Sequence, residues 1–238
     1  MTTFSKIKCA NSTLSFLPDK VDLLWTDPPY GTAKLRKLDD NQYHDPNPKK
    51  ALEDTVNAVR HVNFSDEAVL CICADYRIIH DVIVDLSRDF IFRGEIVWSF
   101  GLGRARTTWW PVRHNTIATF SVGHNPIFNH DMVPEQPRKA KKPGYMSDMK
   151  RAGSVWDKTM SNLDPERVGY PTQKPLDIVT PFILAHTEEG MTVADPFCGS
   201  GTTAHAALVT KRNFVGQDLN PQSVDVSTER VDSLEDND

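Results

Sequence analysis

The feature that most constrains the fold is a stretch in which an apolar strand, a glycine-rich turn and a helix follow one another. Residues 191–195 (MTVAD) have the composition of a buried strand, residues 196–203 (PFCGSGTT) form a Gly-x-Gly turn, and residues 204–212 have helical composition. Glycine permits a tight turn and close approach of a ligand, and a helix N-terminus favours polar or anionic groups. The stretch therefore predicts a cofactor cradle within an α/β sheet.

A second strand follows the cradle and ends in a carboxylate. Residues 213–218 (NFVGQD) place Asp218 about twenty residues after the glycine turn. In nucleotide-binding α/β folds an acidic side chain at this position binds ribose hydroxyls. We therefore expect Asp218 to bind the ribose of a cofactor.

A carboxylate also follows the apolar run of residues 21–26 (VDLLWT). There Asp27, Pro28, Pro29 and Tyr30 come in direct succession. The prolines end a strand and fix the backbone, so that the carboxylate and the Pro28 carbonyl become rigid acceptors beside an aromatic ring. Such a group suits a planar amine, including the exocyclic amine of a flipped base. The alternative at this point is an ordinary strand stopped by prolines.

The rest of the chain alternates strand and helix patterns. We expect strands over residues 6–10, 68–74, 95–100 and 116–122, and helices over 11–17, 51–64, 76–88 and 176–186. The predicted fold class is α/β, a doubly wound, mostly parallel sheet with helices on both faces, in one domain over 1–238. The acidic end, 231–238, is expected to fray.

Four blocks in a fixed order resemble a known family. DPPY at 27–30, YPTQKP at 170–175, DPFCGSGTT at 195–203 and GQD at 216–218 are similar to the blocks of the circularly permuted β-class DNA amino-methyltransferases. The resemblance implies a Rossmann-like methyltransferase fold and S-adenosylmethionine as cofactor. It also implies that Asp27, Pro28, Pro29 and Tyr30 are catalytic. The cofactor-binding residues that it implies are Asp195, Phe197, Gly199, Ser200, Gly201, Thr202, Asp218, Thr172, Gln173 and Lys174.

The reaction implied by the resemblance is methyl transfer to the exocyclic amino group of adenine (N6) in double-stranded DNA, in a flipped base. Cytosine-specific relatives often begin the first block with Ser, so Asp27 favours adenine. N4-cytosine methylation and methylation of RNA or a protein amide stay open as alternatives, because planar amines and amides fit similar pockets.

Charge is unevenly distributed along the chain. The net charge is −5, yet residues 101–151 hold nine Lys or Arg against three Asp or Glu. Basic and aromatic side chains together suit phosphate contact and base stacking. The resemblance places a small target-recognition insertion at about 101–156. The expected DNA-binding residues are Arg104, Arg106, Trp109, Arg113, Lys139, Lys141 and Lys142. A solvated basic loop and a tryptophan hairpin packed on the core are the alternatives.

Composition indicates where the protein is located and whether it binds a membrane or a metal. The sequence has no run long enough to span a bilayer and no signal-like beginning, which predicts a cytoplasmic protein without membrane contact. Its four cysteines and eight histidines show no metal-ligand spacing, so no metal is expected. A homodimer is compatible with the sequence.

The DPPY block at 27–30 and the glycine turn at 196–203 lie at opposite ends of the sequence, and this separation predicts the topology of the sheet. Ligands in open parallel sheets bind beyond the strand C-termini where the strand order reverses. Strand 191–195 should therefore lie beside strand 21–26, and residues 6–10 should pair in parallel with 213–217 at a sheet edge.

Overall fold

A mixed eight-stranded sheet forms the centre of the computed structural model, which describes residues 3–11, 20–31, 47–101, 110–137, 149–160 and 164–235. The strands are β1 (Ser5–Cys9), β2 (Val21–Thr26), β3 (Phe64–Ala74), β4 (Ile91–Ser99), β5 (His114–Ser121), β6 (Glu135–Pro137), β7 (Met149–Arg151), β8 (Val155–Asp157), β9 (Thr192–Asp195) and β10 (Asn213–Asp218). The helices are α1 (Pro48–Arg60), α2 (Ile79–Leu86), α3 (Leu176–His186), α4 (Thr202–Val209) and α5 (Pro221–Glu235).

The strand order in the main sheet is β1-β10-β9-β2-β3-β5-β4-β8. All neighbouring pairs are parallel except those made by β5, which runs antiparallel to both β3 and β4. Both topological predictions are confirmed, because β9 pairs with β2 and β1 pairs in parallel with β10 at the sheet edge. The two ends of the chain therefore lie side by side.

Two apolar cores lie on opposite faces of the sheet. On one face α1 and α2 bury side chains such as Val59 and Val82 against Leu70 of β3. On the other face α3, α4 and α5 pack against the alternate side chains of the same strands, including Trp25 and Cys71. This alternation follows from the period of two in a strand. The predicted doubly wound, mostly parallel α/β class is confirmed.

Local sequence explains where the helices begin. The Asn47 side chain accepts a hydrogen bond of 3.0 Å from the backbone N–H of Lys49, and Pro48 occupies the first turn of α1. Proline is favoured there because its missing N–H would have no helical partner. Among the described residues, no helix is long and apolar enough to cross a membrane.

One expectation about elements needs correction. The segment 231–235 was expected to fray, but it continues α5, and Val231 is 2% exposed in the core. The strand β6, which pairs with β7, was not among the strands expected from the sequence. The predicted helix at 11–17 falls mostly outside the described residues.

Candidate active site

The two sequence motifs meet at the C-terminal ends of neighbouring strands. β2 ends at Thr26, directly before Asp27, and β9 ends at Asp195. The Thr26 hydroxyl donates a buried hydrogen bond of 2.7 Å to an Asp195 oxygen, which joins the two strand ends. Residues 169 positions apart in the chain therefore share one crevice, as expected for ligand sites in open α/β sheets.

A cleft of about 190 Å³ lies in this crevice. Most of the residues predicted from the two motifs line it, together with side chains from the loop before α3 and from the start of α5. Its lining consists of Asn11, Trp25, Asp27, Pro28, Pro29, Tyr30, Asp54, Tyr170, Thr172, Lys174, Asp195, Phe197, Cys198, Gly199, Ser200, Thr202, Thr203, Asp218, Leu219, Asn220 and Ser223.

The glycine turn has the backbone geometry that its sequence predicts. Gly199 and Gly201 have φ values of +49° and +72°, in the region that side chains disfavour. A Cβ at Gly201 would also lie 2.8 Å from the Cβ of Ser227 in α5. Gly201 therefore lets α5 pack close beneath the turn, while Gly199 lies beside the ring of Tyr170 at the cleft.

Asp195 anchors the turn from below. Its carboxylate accepts hydrogen bonds from the Thr26 hydroxyl, the Thr203 hydroxyl at 2.6 Å and the Phe197 backbone N–H at 3.1 Å. Burial raises the pKa of this carboxyl from 3.8 to about 7, although the three hydrogen bonds oppose the shift. Asp195 thus fixes the cradle, and burial makes its charged form unfavourable.

Asp218 holds the same turn from the side. One carboxylate oxygen accepts a hydrogen bond of 2.9 Å from the Gly199 N–H, and the other accepts one of 2.9 Å from the Asn220 N–H. The side chain lines the cleft beside Asn220 and Ser223. This position at the end of β10 suits the ribose contact predicted from the sequence.

Asp27 is the centre of a polar network above β2. Tyr30 donates its hydroxyl to one Asp27 oxygen, and Lys174 donates its ammonium to the other. Asn115 of the antiparallel strand β5 donates in turn to the Tyr30 hydroxyl at 3.1 Å. Burial and the nearby Asp27 charge raise the pKa of Tyr30 well above its usual value, so the hydroxyl keeps its proton as a donor.

The YPTQKP block is placed partly as predicted. Thr172 and Lys174 line the cleft, and Lys174 pairs with Asp27. Gln173 is 7% exposed and does not line the cleft. Its amide donates to the Glu166 carbonyl at 2.7 Å and accepts from the Val168 N–H at 2.9 Å, so it braces the preceding loop.

Several cleft residues were not chosen from the sequence. Tyr170 lies against Gly199, and its hydroxyl is 3.1 Å from the Ser223 hydroxyl. Burial raises the pKa of Tyr170 to about 12. Its place at the start of the YPTQKP block was a usable signal, whereas nothing local marked Ser223 or Asn115.

A buried arginine of α5 supports the cradle from behind. Arg230 donates to the Ser200 carbonyl at 3.2 Å and to the Thr202 hydroxyl at 2.9 Å, and it pairs with Glu166 at 3.6 Å. Glu166 accepts from the Leu176 N–H, at the start of α3. Arg230 therefore ties the glycine turn to the loop that carries the YPTQKP block.

Of the predicted DNA-contacting residues, only Arg113 lies in the described part of the chain. Arg113 is exposed and donates to the Gly101 carbonyl at 3.0 Å. Trp110 is 80% exposed, which removes it from the alternative of a tryptophan packed on the core. The other predicted contacts, Arg104, Arg106, Trp109, Lys139, Lys141 and Lys142, lie outside the described residues.

The geometry fits a nucleoside cofactor that carries an amino-acid group. The cleft offers an open glycine turn, the carboxylate of Asp218, and Phe197 and Leu219 as apolar surface. Lys174 is a cation for a carboxylate at the end next to Asp27. Within the described part of the chain, no cluster of His, Cys, Asp and Glu is arranged to hold a metal ion.

Solved structures support the fold. The chain aligns over 96% of its length with M1.HpyAVI in complex with SAM, at a TM-score of 0.66 and 23% identity, and covers 99% of that chain. It aligns with the PvuII DNA methyltransferase (cytosine-N4-specific) at a TM-score of 0.72 and 16% identity, over 96% of this chain and 86% of that one. The expected Rossmann-like methyltransferase fold is confirmed.

Sequence comparison gives the family. The chain is 27% identical to the Type II methyltransferase M.HpaI of Haemophilus parainfluenzae, over 90% of this chain and 69% of that protein. It is 27% identical to the DNA adenine methyltransferase YhdJ of Escherichia coli, over 60% of this chain and 53% of the relative, so it spans about half the length of that protein. The family model N6_N4_Mtase, described as DNA methylase, matches residues 21–229, and the chain therefore belongs to this DNA methylase family.

Proposed function

We propose that this protein transfers a methyl group from S-adenosylmethionine to the exocyclic amino group of adenine in double-stranded DNA, as a β-class enzyme. The observation that carries the proposal is the placement of Asp27 and the glycine turn in one cleft. A DNA methylase needs an acceptor for the target amine beside a site for the methyl donor, and this cleft offers both.

The cofactor is S-adenosylmethionine, as the family resemblance implied. Its sulfonium supplies an electrophilic methyl group when it is bound. Asp218 would accept from the ribose hydroxyls, and the turn from Phe197 to Thr202 would lie along the nucleoside. Ser200 and Gly201 act mainly through the shape of the turn, since Ser200 is 5% exposed and Gly201 packs on Ser227.

The difficult partner in the reaction is the amine. The lone pair of an exocyclic amino group is delocalised into the ring, so the nitrogen is a weak nucleophile. Asp27 would accept one amino hydrogen and Pro28 would offer its carbonyl to the other, which localises the lone pair on nitrogen. Tyr30, held by Asn115 through its hydroxyl, would stack on the flipped base and offset part of the unstacking cost of a few kcal/mol.

Adenine is proposed over cytosine because the first block begins with Asp27 and not with serine. YhdJ is named a DNA adenine methyltransferase, whereas the PvuII enzyme is named cytosine-N4-specific. The target-recognition region is proposed within residues 101–156, where the basic residues concentrate. The protein is proposed to act in the cytoplasm, where its DNA substrate lies, and the homodimer remains a prediction for size-exclusion measurement.

Incubation with radiolabelled S-adenosylmethionine and varied DNAs, RNAs and proteins tests the proposal. Digestion of the labelled DNA to nucleosides should give N6-methyl-2′-deoxyadenosine as the labelled product. Labelled N4-methyl-2′-deoxycytidine would replace the adenine assignment by the cytosine alternative. Label confined to RNA or to a protein amide would overturn the DNA assignment.

A further inference from the structure

Lys174 places an amine of the protein itself at the site proposed for the target amine. Its ammonium donates to an Asp27 oxygen, lies 3.4 Å from the Thr172 carbonyl, and is 5.8 Å from the centroid of the Tyr30 ring. The Lys174 and Asp27 side chains are only 12% and 17% exposed. A carboxylate, a carbonyl and an aromatic face thus surround the lysine nitrogen, as they would surround a base amine.

This pairing competes with the role of Asp27 as acceptor. Lys174 donates to one Asp27 oxygen, while Tyr30 donates to the other. The ammonium also neutralises the charge that would draw electron density toward the target nitrogen, and it fills the space beside the carboxylate. Lys174 must therefore leave Asp27 before a base amine can bind there.

The structure also offers a second partner for the ammonium. Among the described residues that line the cleft, Lys174 is the only lysine or arginine. An amino-acid carboxylate bound in this cleft would therefore be drawn to Lys174. The Lys174 backbone is held, since its carbonyl accepts from the Thr202 hydroxyl at 3.0 Å, but its four-carbon side chain can swing about that fixed point.

We infer that Lys174 exchanges partners: it masks Asp27 in the free protein and moves to the cofactor carboxylate when the cofactor binds, which uncovers Asp27 for the base. The inference rests on the proposed function. It makes the acceptor available only in the loaded enzyme, so that the cofactor binds before the flipped base.

Calorimetric titration with two cofactor analogues tests the exchange without any methyl transfer. S-adenosylhomocysteine carries the amino-acid carboxylate, and 5′-methylthioadenosine lacks the amino-acid group. Asp27→Asn removes the ion pair that must break, so it should tighten binding of S-adenosylhomocysteine about tenfold and leave 5′-methylthioadenosine unchanged. Lys174→Met should weaken only S-adenosylhomocysteine, and Asp27→Asn should give no tightening in the Lys174→Met background.

Lys158→Met is the matched control, because Lys158 pairs with Asp177 outside the cleft and should leave both affinities unchanged. Binding of 5′-methylthioadenosine reports that each variant is folded. If Asp27→Asn leaves or weakens S-adenosylhomocysteine binding while the wild type binds it, the exchange is refuted and the proposed function stands. If the wild type binds neither analogue, the proposed function fails and the exchange fails with it.

Discussion

Replacing Asp195 by asparagine should make this protein more stable at neutral and alkaline pH. The Asp195 side chain is buried, at 3% exposure, beneath the glycine turn. Burial raises its pKa from 3.8 to about 7, although the Thr203 and Thr26 hydroxyls and the Phe197 N–H donate to it. Asparagine keeps an oxygen for Thr26 and Phe197, and its amide can donate to the Thr203 hydroxyl, which also accepts.

The sign and size of the effect follow from proton linkage. Between about pH 4 and pH 7 the folded carboxyl holds a proton that the unfolded chain has released. The unfolding free energy therefore falls as pH rises, by up to about 1.4 kcal/mol per pH unit. The rise of the pKa from 3.8 to about 7 gives a loss of roughly 4 kcal/mol in total. The Asp195→Asn variant lacks this loss. Its unfolding free energy should therefore match that of the wild type near pH 4 and exceed it by up to roughly 4 kcal/mol at pH 8.

The informative quantity is the difference in unfolding free energy between the wild type and the Asp195→Asn variant. Burial and the Arg230 charge lower the pKa of His205 from 6.5 to about 4. The unfolded chain then binds the proton, so stability from His205 rises between about pH 4 and 6.5, opposite in sign to Asp195. The pH profile of the wild type alone mixes the two groups, whereas subtracting the profile of the variant leaves the contribution of Asp195.

Urea unfolding followed by tryptophan fluorescence at pH 4 to 8 gives the two curves. Asp225→Asn, at an exposed position of α5, is the control for the loss of one carboxylate. A difference that does not grow with pH would refute the assignment of a buried, protonated Asp195. A variant that is less stable by the same amount at every pH would show that the carboxylate contributes only as an acceptor.

Three further predictions concern function. Asp27→Ala should lower the rate of methyl transfer about a thousandfold while cofactor binding survives, and a rate near that of the parent protein would contradict the acceptor role. Asp218→Ala should weaken cofactor binding at least about tenfold, measured by calorimetry, because each charge-assisted hydrogen bond contributes about 1.5–3 kcal/mol; an unchanged dissociation constant would exclude the ribose contact. Replacing Lys139, Lys141 and Lys142 by Gln should weaken DNA binding and reduce its dependence on salt concentration, and an unchanged salt slope would move the DNA surface elsewhere.

The three strands that border the cleft were predictable because each carries its signal in its own sequence. β2, β9 and β10 are short apolar runs that end at a carboxylate or just before one, and their observed limits agree with the prediction to within one residue. β4 was expected to begin at residue 95 and begins at Ile91. Its first residues are more exposed and include Gly94 at φ +143°, so alternation of apolar and polar residues is weak there.

α5 was missed for a different physical reason. Its buried face carries Ser223, Ser227 and Arg230, which resemble a solvated surface in sequence. They are buried because Gly201 allows the helix to approach the turn and because Arg230 has partners in Ser200 and Thr202. Those partners lie about thirty residues away, so the sequence of the helix alone contains no sign of them.

The pairing of Lys174 with Asp27 is also a contact between distant residues that the local sequence does not indicate. The residue types predicted a cation for the cofactor and an acceptor for the base, and both side chains line the cleft. Only the fold shows that they contact each other across 147 positions of the chain. The choice between partners depends on distance, which spacing in sequence does not give.

Three carboxylates at neighbouring strand ends explain how distant parts of the chain build one site. Asp218, Asp195 and Asp27 terminate or directly follow β10, β9 and β2, which lie side by side in that order. Adjacent strands are about 4.8 Å apart, so lateral pairing sets the spacing of the row. Each carboxylate accepts donors from a loop that follows the strands. The spacing of the three carboxylates depends on strand pairing and not on their order along the chain. A change that unpairs β9 from β2 should therefore separate the cofactor cradle from the acceptor Asp27.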